Sequence, residues 1–468
     1  MWRGRPVVVA GAAVAGAAAA RALLRREALV TVIDRKESAA TAELAAAGAR
    51  VVIGDDPPAG LFDGVTDLVV SPGFAPHHPL VAAAQAAGVE VYSEPELAWR
   101  LREPGAPAWL AITGTNGKTT TVTMLAAILA AAGHRTAAVG NIGEPLVDLT
   151  GYDVLAVELS SQQLHWSSRL APQVGALLNL APDHLEWHGS FEAYVEAKTA
   201  IWRAAAGTGD LAGTGESAGT GEPSGTAVGN LDDPLVAARL AGVGFTLAEP
   251  KPGQLGVIDG VLVDHAFAGS PVELIGAAAV RPPGEHNVAN ALAAAAVARA
   301  YGVPPGAVRA GLAGYQPQPH RNARVAEVAG VTYVDDSKAT NPHAALASLL
   351  AYPRVVWIAG GQLKGVAVGE LVRTVADRLA GAVLLGIDRA ELARELARYA
   401  PDLPVVEVAD PSPAAMDAVV RAAADLAAPG DVVLLAPAAA SKDMFTGYEH
   451  RGEAFAAAVH ALVASRER

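Results

Sequence analysis

At 468 residues the chain is longer than one ordinary core, and at about 100–200 residues per domain it divides into two to four units, with three as the working number. Hydrophobic residues make up 51% and charged residues 18%, which excludes a disordered chain. The formal charge of -13 excludes general affinity for nucleic acid or an anionic membrane, and the lack of any cysteine excludes disulfides, zinc thiolates and cysteine nucleophiles.

Arg3 and Arg5 ahead of the apolar run 7–20 imitate a secretory signal, but the run resolves into a βαβ unit. A buried strand is expected over 7–10, a turn over 11–16, a helix over 17–26, and a second strand over 29–33 that ends beside Asp34. Further short strands at 51–53, 68–70 and 89–92 alternate with Ala-rich helices, the pattern of a small parallel-sheet domain. The Pro- and Gly-rich stretch 103–107 reads as a linker, placing a first domain at 1–105.

A strand at 109–112 then runs into a Gly-rich loop and a helix from about Thr121, opening a larger α/β domain over 106–316. Within it, strands are expected at 154–157 and 176–180 and a helix at 191–203, while the Gly-Thr repeats of 207–229 read as a flexible surface loop. Pro317 and Pro319 mark a hinge into a third domain, 317–468, with strands at 331–334, 355–359 and 432–435. No stretch is long and apolar enough to span a bilayer, so a soluble protein is expected.

The strongest motif is Gly114-Thr115-Asn116-Gly117-Lys118-Thr119-Thr120, placed between strand and helix. Its glycines let backbone N–H groups turn onto phosphate oxygens, the helix N-terminus adds positive potential, Lys118 can bridge outer phosphates, and Thr119 can ligate Mg²⁺. Ile112 stands where the longer form of the motif has its first glycine. Glu158 and Asp183-His184 follow strands at their carboxyl ends, where open α/β sheets place ligand groups. Mg²⁺ prefers oxygen, so His184 would need carboxylate company, and by itself it reads as a loop histidine. Gly11, Ala13 and Gly16 imitate a dinucleotide fingerprint with its central glycine replaced.

The loop 114–120, the run Glu158-Leu159-Ser160-Ser161-Gln162-Gln163-Leu164, Asn179 with Asp183-His184, the run 284–290, His320-Arg321 and the run 336–341 together resemble the Mur ligases, in order along nearly the whole chain. Gly140-Asn141-Ile142-Gly143 and Ser337-Lys338-Ala339-Thr340-Asn341 look like the branch that adds D-glutamate. The resemblance implies an α/β protein of three domains: an N-terminal Rossmann-like UDP-binding domain, a central P-loop ATPase-like domain and a C-terminal Rossmann-like domain for the incoming amino acid. It implies a cytoplasmic, monomeric ligase that uses ATP and two Mg²⁺ ions to join D-glutamate to UDP-N-acetylmuramoyl-L-alanine through an acyl phosphate, in peptidoglycan precursor synthesis.

The resemblance also distributes roles. Lys118, Glu158, His184 and Lys198 would be catalytic, with Thr119, Glu158, His184 and a carbamylated Lys198 supporting the metals. Gly114 to Thr120, Asn287, Arg321 and Asp336 would bind ATP. Ala13, Val14, Asp34, Arg35, Ser71, Gly73, Asn141 and Gln163 would face the UDP substrate, and Lys338, Thr340, Lys364, Ser441 and Tyr448 the D-glutamate. Three departures stand out: Ala323 where the family has an acidic residue, Lys442 where it has a neutral one, and Tyr448 where it often has Phe. Competing readings are another Mur ligase or a folylpolyglutamate synthase-like enzyme, an inactive nucleotide-binding scaffold, and an NAD oxidoreductase, the last disfavoured by Ala13.

Overall fold

The structure, a computed structural model, describes residues 2–54, 56–205 and 225–466. The chain divides into two compact units, Met1–Ala279 with Ala289–Tyr315, and Val280–Val288 with Gln316–Arg468. Among the described residues the strands gather into three sheets, two in the first unit and one in the second.

The first sheet is wholly parallel, with Pro6–Ala10 at its centre, Leu29–Asp34 and Arg50–Ile53 on one side, and Asp67–Val70 and Glu90–Ser93 on the other. Val7 to Ala10 are at most 1% exposed, because helices cover the sheet and leave its central strand no wet face. The helix Val14–Leu24 packs through Ala17 to Ala20, whose small side chains let it lie close to the strands. Gly16 sets that distance, since a Cβ there would stand 1.9 Å from the Gly11 carbonyl oxygen.

The second sheet runs in the order Val272–Gly276, Val261–Asp264, Gln254–Ile258, Val243–Phe245, Thr226–Asn230, Val174–Leu177, Ala108–Thr113, Val154–Glu158, Ala138–Gly140. The last three strands of this sheet in chain order, Gln254–Ile258, Val261–Asp264 and Val272–Gly276, form an antiparallel meander that the alternation of strand and helix did not suggest. Its first turn, Asp259-Gly260, takes positive φ at both residues, as a tight hairpin requires.

Four expectations are corrected in this region. The helix after the Gly-rich loop begins at Lys118, three residues before Thr121. The strand expected at 176–180 is Val174–Leu177, because the chain beyond it leaves the ladder to bond the loop, with Thr115 N donating to Asn179 O. The helix expected over 191–203 is α-helical over Phe191–Thr199 and tightens into a 3₁₀ turn over Ala200–Trp202. Of the loop expected over 207–229, residues 207–224 lie outside the described residues, whereas Thr226–Asn230 is an interior strand paired with Val174–Leu177.

The second unit's sheet orders Ala323–Val328, Val331–Asp335, Val432–Leu435, Val355–Gly360, Leu379–Leu385 and Val405–Glu407, all parallel except the first. Trp357, Ile358, Leu434 and Leu435 are fully buried between its helices. The long helix Tyr448–Arg466 closes one face. No helix among the described residues is long and apolar enough to cross a membrane.

Candidate active site

Strand Ala108–Thr113 ends in the Gly-rich loop because Gly117 adopts φ +81 and the helix Lys118–Ala131 starts at once behind it. The loop is held from three sides. Asn116 N donates to Asn179 Oδ1 at 2.8 Å, Thr115 Oγ1 meets the Tyr194 hydroxyl at 2.8 Å, and Lys118 Nζ donates to Gly114 O and Thr115 O at 2.9 Å. A Cβ on Gly117 would lie 2.4 Å from Asn290 Oδ1, itself hydrogen-bonded to Thr121 Oγ1 at 3.1 Å. Gly117→Ala is therefore expected to weaken binding of ATP at least about tenfold, since a side chain there must strain the backbone and displace a buried amide. Calorimetric titration with ATP checks this; an unchanged Kd in a folded variant would refute the cradle. Thr120 is buried, so its side chain belongs to the helix's packing face.

Glu158 ends strand Val154–Glu158 at 2% exposure. Its two oxygens have separate partners: Thr119 Oγ1 donates to Oε2 at 2.7 Å and Asn141 Nδ2 to Oε1 at 2.9 Å. Asn141, assigned from resemblance to the UDP substrate, thus lies against the carboxylate next to the loop. Lys198, on helix Phe191–Thr199, reaches the same loop from below, donating from Nζ to Gly114 O at 2.7 Å and to Thr113 Oγ1 at 3.4 Å. It is 2% exposed. Burial and then the neighbouring Lys118 hold its pKa well below the ordinary lysine value, against the opposing pull of Asp183 and Glu158.

His184 is placed differently. It is exposed at φ +52, its Nε2 lies 3.5 Å from Asp183 Oδ2, and no hydrogen bond links it to Glu158, Thr119 or Lys198 among the described residues. Among those residues no group of three or more His, Asp or Glu stands ready as a metal cage. A Mg²⁺ site with one or two protein carboxylates, the rest of its shell coming from water and phosphate, fits the donor set at Thr119 and Glu158.

In the first sheet, Asp34 is partly committed: its Oδ2 accepts from Ala12 N at 2.6 Å and its Oδ1 from Lys36 N at 3.4 Å, so it ties down the first βα turn. Ala13 and Val14 lie exposed at the start of the following helix, Arg35 beside Asp34 is also exposed, and Ser71 Oγ donates to Ala10 O at 2.9 Å. The adjoining loop, with Gly73, is pinned to the second sheet's loops by two indoles: Trp187 Nε1 donates to Pro72 O at 3.1 Å and Trp166 Nε1 to Phe74 O at 3.0 Å. Gln163 uses its Oε1 on Ser160 N in a capping box and is 5% exposed, which leaves its side chain little to offer a substrate.

Sequence reading missed His188, buried with Nε2 3.0 Å from Ser161 Oγ and with no hydrogen-bond partner for Nδ1 among the described residues. Burial, helped by His165, His184 and Lys198, pushes its pKa down to about 4. It also missed Tyr194, whose hydroxyl bonds the loop and whose ring lies 4.9 Å from Lys198 Nζ. Neither carries a spacing signal, since both sit on short helices that read as ordinary amphipathic turns.

In the second unit, Asn287 is 3% exposed and its Nδ2 bonds Pro283 O at 3.2 Å and His286 Nε2 at 2.9 Å, a ring that burial keeps neutral. Asp336 Oδ1 accepts from Asn322 N at 3.2 Å, and burial raises its pKa to about 6. Arg321 lies between His320, whose Nδ1 is 2.6 Å from Asp335 Oδ2, and Asn322. Three loops leave the carboxyl ends of adjacent strands and carry Lys338 and Thr340, Lys364, and Ser441 respectively. The backbone joins them: Ala438 N donates to Ala339 O at 2.9 Å, and Gln362 and Ala440 exchange bonds at 2.8 and 3.0 Å. Lys338 Nζ lies 3.7 Å from the centre of the Tyr448 ring, while Lys364 is exposed at φ +54.

Comparison with known proteins covers both units. The family model described as Mur ligase MurD-like, N-terminal domain, matches residues 5–93; Mur ligase middle domain matches 112–298; and Mur ligase, glutamate ligase domain, matches 320–439. The UDP-N-acetylmuramoylalanine--D-glutamate ligases of Streptomyces avermitilis and Thermobifida fusca are each 52% identical over 98% of this chain and 99% of their own length. Among solved structures, the fold is similar to the UDP-N-acetylmuramate-alanine ligase MurC of Thermotoga maritima, with a TM-score of 0.58 at 16% identity over 98% of this chain and 99% of that one. It is likewise similar to MurF of Acinetobacter baumannii, with a TM-score of 0.58 at 19% identity over 97% and 93%.

Proposed function

Since the chain belongs to the Mur ligase family, we infer that it is the ATP-dependent ligase that joins D-glutamate to UDP-N-acetylmuramoyl-L-alanine in peptidoglycan synthesis. The observation that carries the chemistry is the Glu158 carboxylate held between Thr119 and Asn141 at the mouth of the Gly-rich loop. The loop amides and Lys118 take the ATP phosphates, and Asn287, Arg321 and Asp336 serve the rest of the nucleotide. Thr119 and Glu158 would hold Mg²⁺, and His184 and a carbamylated Lys198 would support a second ion; such metal would supply neutralisation of phosphate charge.

The substrate carboxylate attacks the terminal phosphorus of ATP, ADP leaves, and an acyl phosphate forms. The amine of D-glutamate then attacks the acyl carbon, phosphate departs, and the amine gives up a proton as the amide forms. Lys118 and the helix N-terminus oppose the charge that builds on the transferred group. The sheet of residues 6–93 takes the UDP end through Ala13, Val14, Asp34, Arg35, Ser71 and Gly73. Lys338, Thr340, Lys364, Ser441 and Tyr448 take the two carboxylates of D-glutamate, which call for fixed cations and hydroxyls. The protein works as a monomer in the cytoplasm, where ATP is supplied.

The burial of Lys198 supports its carbamylation. Burial, and then the neighbouring Lys118, push the Lys198 pKa well below the ordinary lysine value, which favours the neutral amine, the form that adds to CO₂ to give a carbamate and a proton. The anion so formed is one that unmodified Lys198 does not offer a divalent metal.

The deciding experiment is phosphate release from ATP, Mg²⁺ and UDP-N-acetylmuramoyl-L-alanine with D-glutamate, with L-glutamate and with neither. Release only with D-glutamate supports reaction and acceptor together. No release with either amino acid, from protein that binds ATP, would overturn the reading in favour of a scaffold or another acyl substrate.

A further inference from the structure

Arg451 lies one turn into the helix Tyr448–Arg466 and is 1% exposed, among the largest fully buried side chains of the protein. A guanidinium has five donors in a rigid plane and cannot be neutral at ordinary pH, so burying one is costly unless acceptors meet it in that plane. Here they do. Nε donates to Ser337 Oγ at 3.0 Å, one terminal nitrogen to Ser337 O at 2.9 Å, and the other to Ala439 O at 3.2 Å and Gly360 O at 3.4 Å. Ser337 Oγ in turn donates to Tyr448 O at 2.8 Å. Among the described residues its hydrogen-bond partners are a hydroxyl and backbone carbonyls, while the carboxylates of Asp443 and Asp335 act on it through space.

The three anchored residues belong to three different strand-end segments, Gly360 being the last residue of its strand. Ser337 immediately precedes Lys338 and lies three residues before Thr340, Gly360 precedes Lys364 by four, and Ala439 precedes Ser441 by two. Tyr448 stands on the helix that bears Arg451 itself. One side chain therefore ties together every segment assigned to D-glutamate, and its hydrogen bonds go to none of the assigned side chains. The next residue, Gly452, lets this helix turn press close: a Cβ there would lie 2.1 Å from His320 Nδ1 and 2.7 Å from Asp335 Oδ2.

We propose that Arg451 is a positioning residue for the amino-acid acceptor, a buried fork that fixes the three strand-end loops and the helix start in the spacing that two substrate carboxylates require. The inference rests on the assignment of Lys338, Thr340, Lys364, Ser441 and Tyr448 to D-glutamate. A misplacement of about 1 Å at such loops can cost up to about 100-fold in a catalytic parameter without removing any contacting group. Lysine cannot substitute fully, because its single ammonium cannot reach three loops in one plane.

The test is steady-state kinetics of Arg451→Met, Arg451→Lys and Ser337→Ala, with thermal melting of each. Arg451→Met is expected to raise the D-glutamate KM by about tenfold or more and leave the KM for ATP within about threefold, a split that general loosening of the protein would not produce. Arg451→Lys and Ser337→Ala, each of which removes only part of the fork's bonding, are expected to show smaller rises of the same kind. If Arg451→Met fails to fold, these two milder variants decide. Equal rises for all substrates, or a folded set with an unchanged D-glutamate KM, would overturn the proposal. Lys364→Ala separates the two levels of inference. If it leaves the D-glutamate KM unchanged, the acceptor assignment itself fails; if it raises that KM and the Arg451 and Ser337 variants do not, only the positioning role fails.

Discussion

Replacing Lys198 with alanine is expected to lower kcat by about 100-fold or more while the protein still folds and binds nucleotide. Lys198 Nζ is buried under the Gly-rich loop, 2.7 Å from Gly114 O, with Lys118 close enough to depress its pKa. Unmodified, Lys198 offers a divalent metal no anion, which leaves the Glu158 carboxylate bonded to Thr119 beside the loop. A carbamate on Lys198 would add a second anion there. Protein equilibrated with ¹³C-bicarbonate is expected to show a carbamate carbonyl resonance by NMR that is missing from Lys198→Ala and lost on acidification. A kcat within about threefold of the parent would remove Lys198 from the catalytic set; no carbamate resonance in active protein would leave the residue but discard its modification.

Lys364→Ala has its effect at the other substrate. Loss of a charge-assisted hydrogen bond to a carboxylate is worth roughly 1.5–3 kcal/mol, which corresponds to about 10–150-fold in the D-glutamate KM. Lys364 sits at φ +54, a backbone conformation that side chains seldom adopt, in the loop that Gln362 ties to Ala440. Nothing in its exposed surroundings requires lysine for packing, so stability should hardly change. Measured KM values for D-glutamate and ATP check the assignment, and equal changes in both would sink it.

The parallel strands and the Gly-rich loop were legible because the period is local: four consecutive apolar residues, then glycine, then a helix pattern. The meander over Gln254–Asp264 was legible too and was passed over, since Ile258-Asp259-Gly260-Val261 contains the dipeptide that favours a tight hairpin. The hairpin at Ala329-Gly330 was not, because alanine at positive φ is imposed by the sheet around it rather than chosen by the residue. Strand Thr226–Asn230 was hidden by the Gly-Thr run before it, whose composition dominated the reading of its neighbours.

At the site, Lys118, Thr119 and Glu158 could be found from motif and strand position alone. The partnership of Asn141 with Glu158, the engagement of Gln163 in a helix cap, and the roles of Tyr194 and His188 depend on contacts between segments far apart in the chain. Arg451 is the extreme case. In sequence it lies among Glu449, His450 and Glu453 and resembles a solvated helix start, and only the fold reveals that it faces inward.

The two indoles that grip the loop Ser71 to Phe74 give the protein a built-in optical reporter. Trp166 and Trp187 each donate their ring N–H to a backbone carbonyl of that loop, and their rings lie edge to face with 6.3 Å between centres. Indole emission responds to the polarity and hydrogen bonding of its N–H, so a ligand that shifts this loop changes the light the protein emits without any label. Of the seven tryptophans, Trp357 is fully buried in the other unit's core and supplies a constant background. Occupancy of the proposed UDP end can then be followed in real time, separately from turnover.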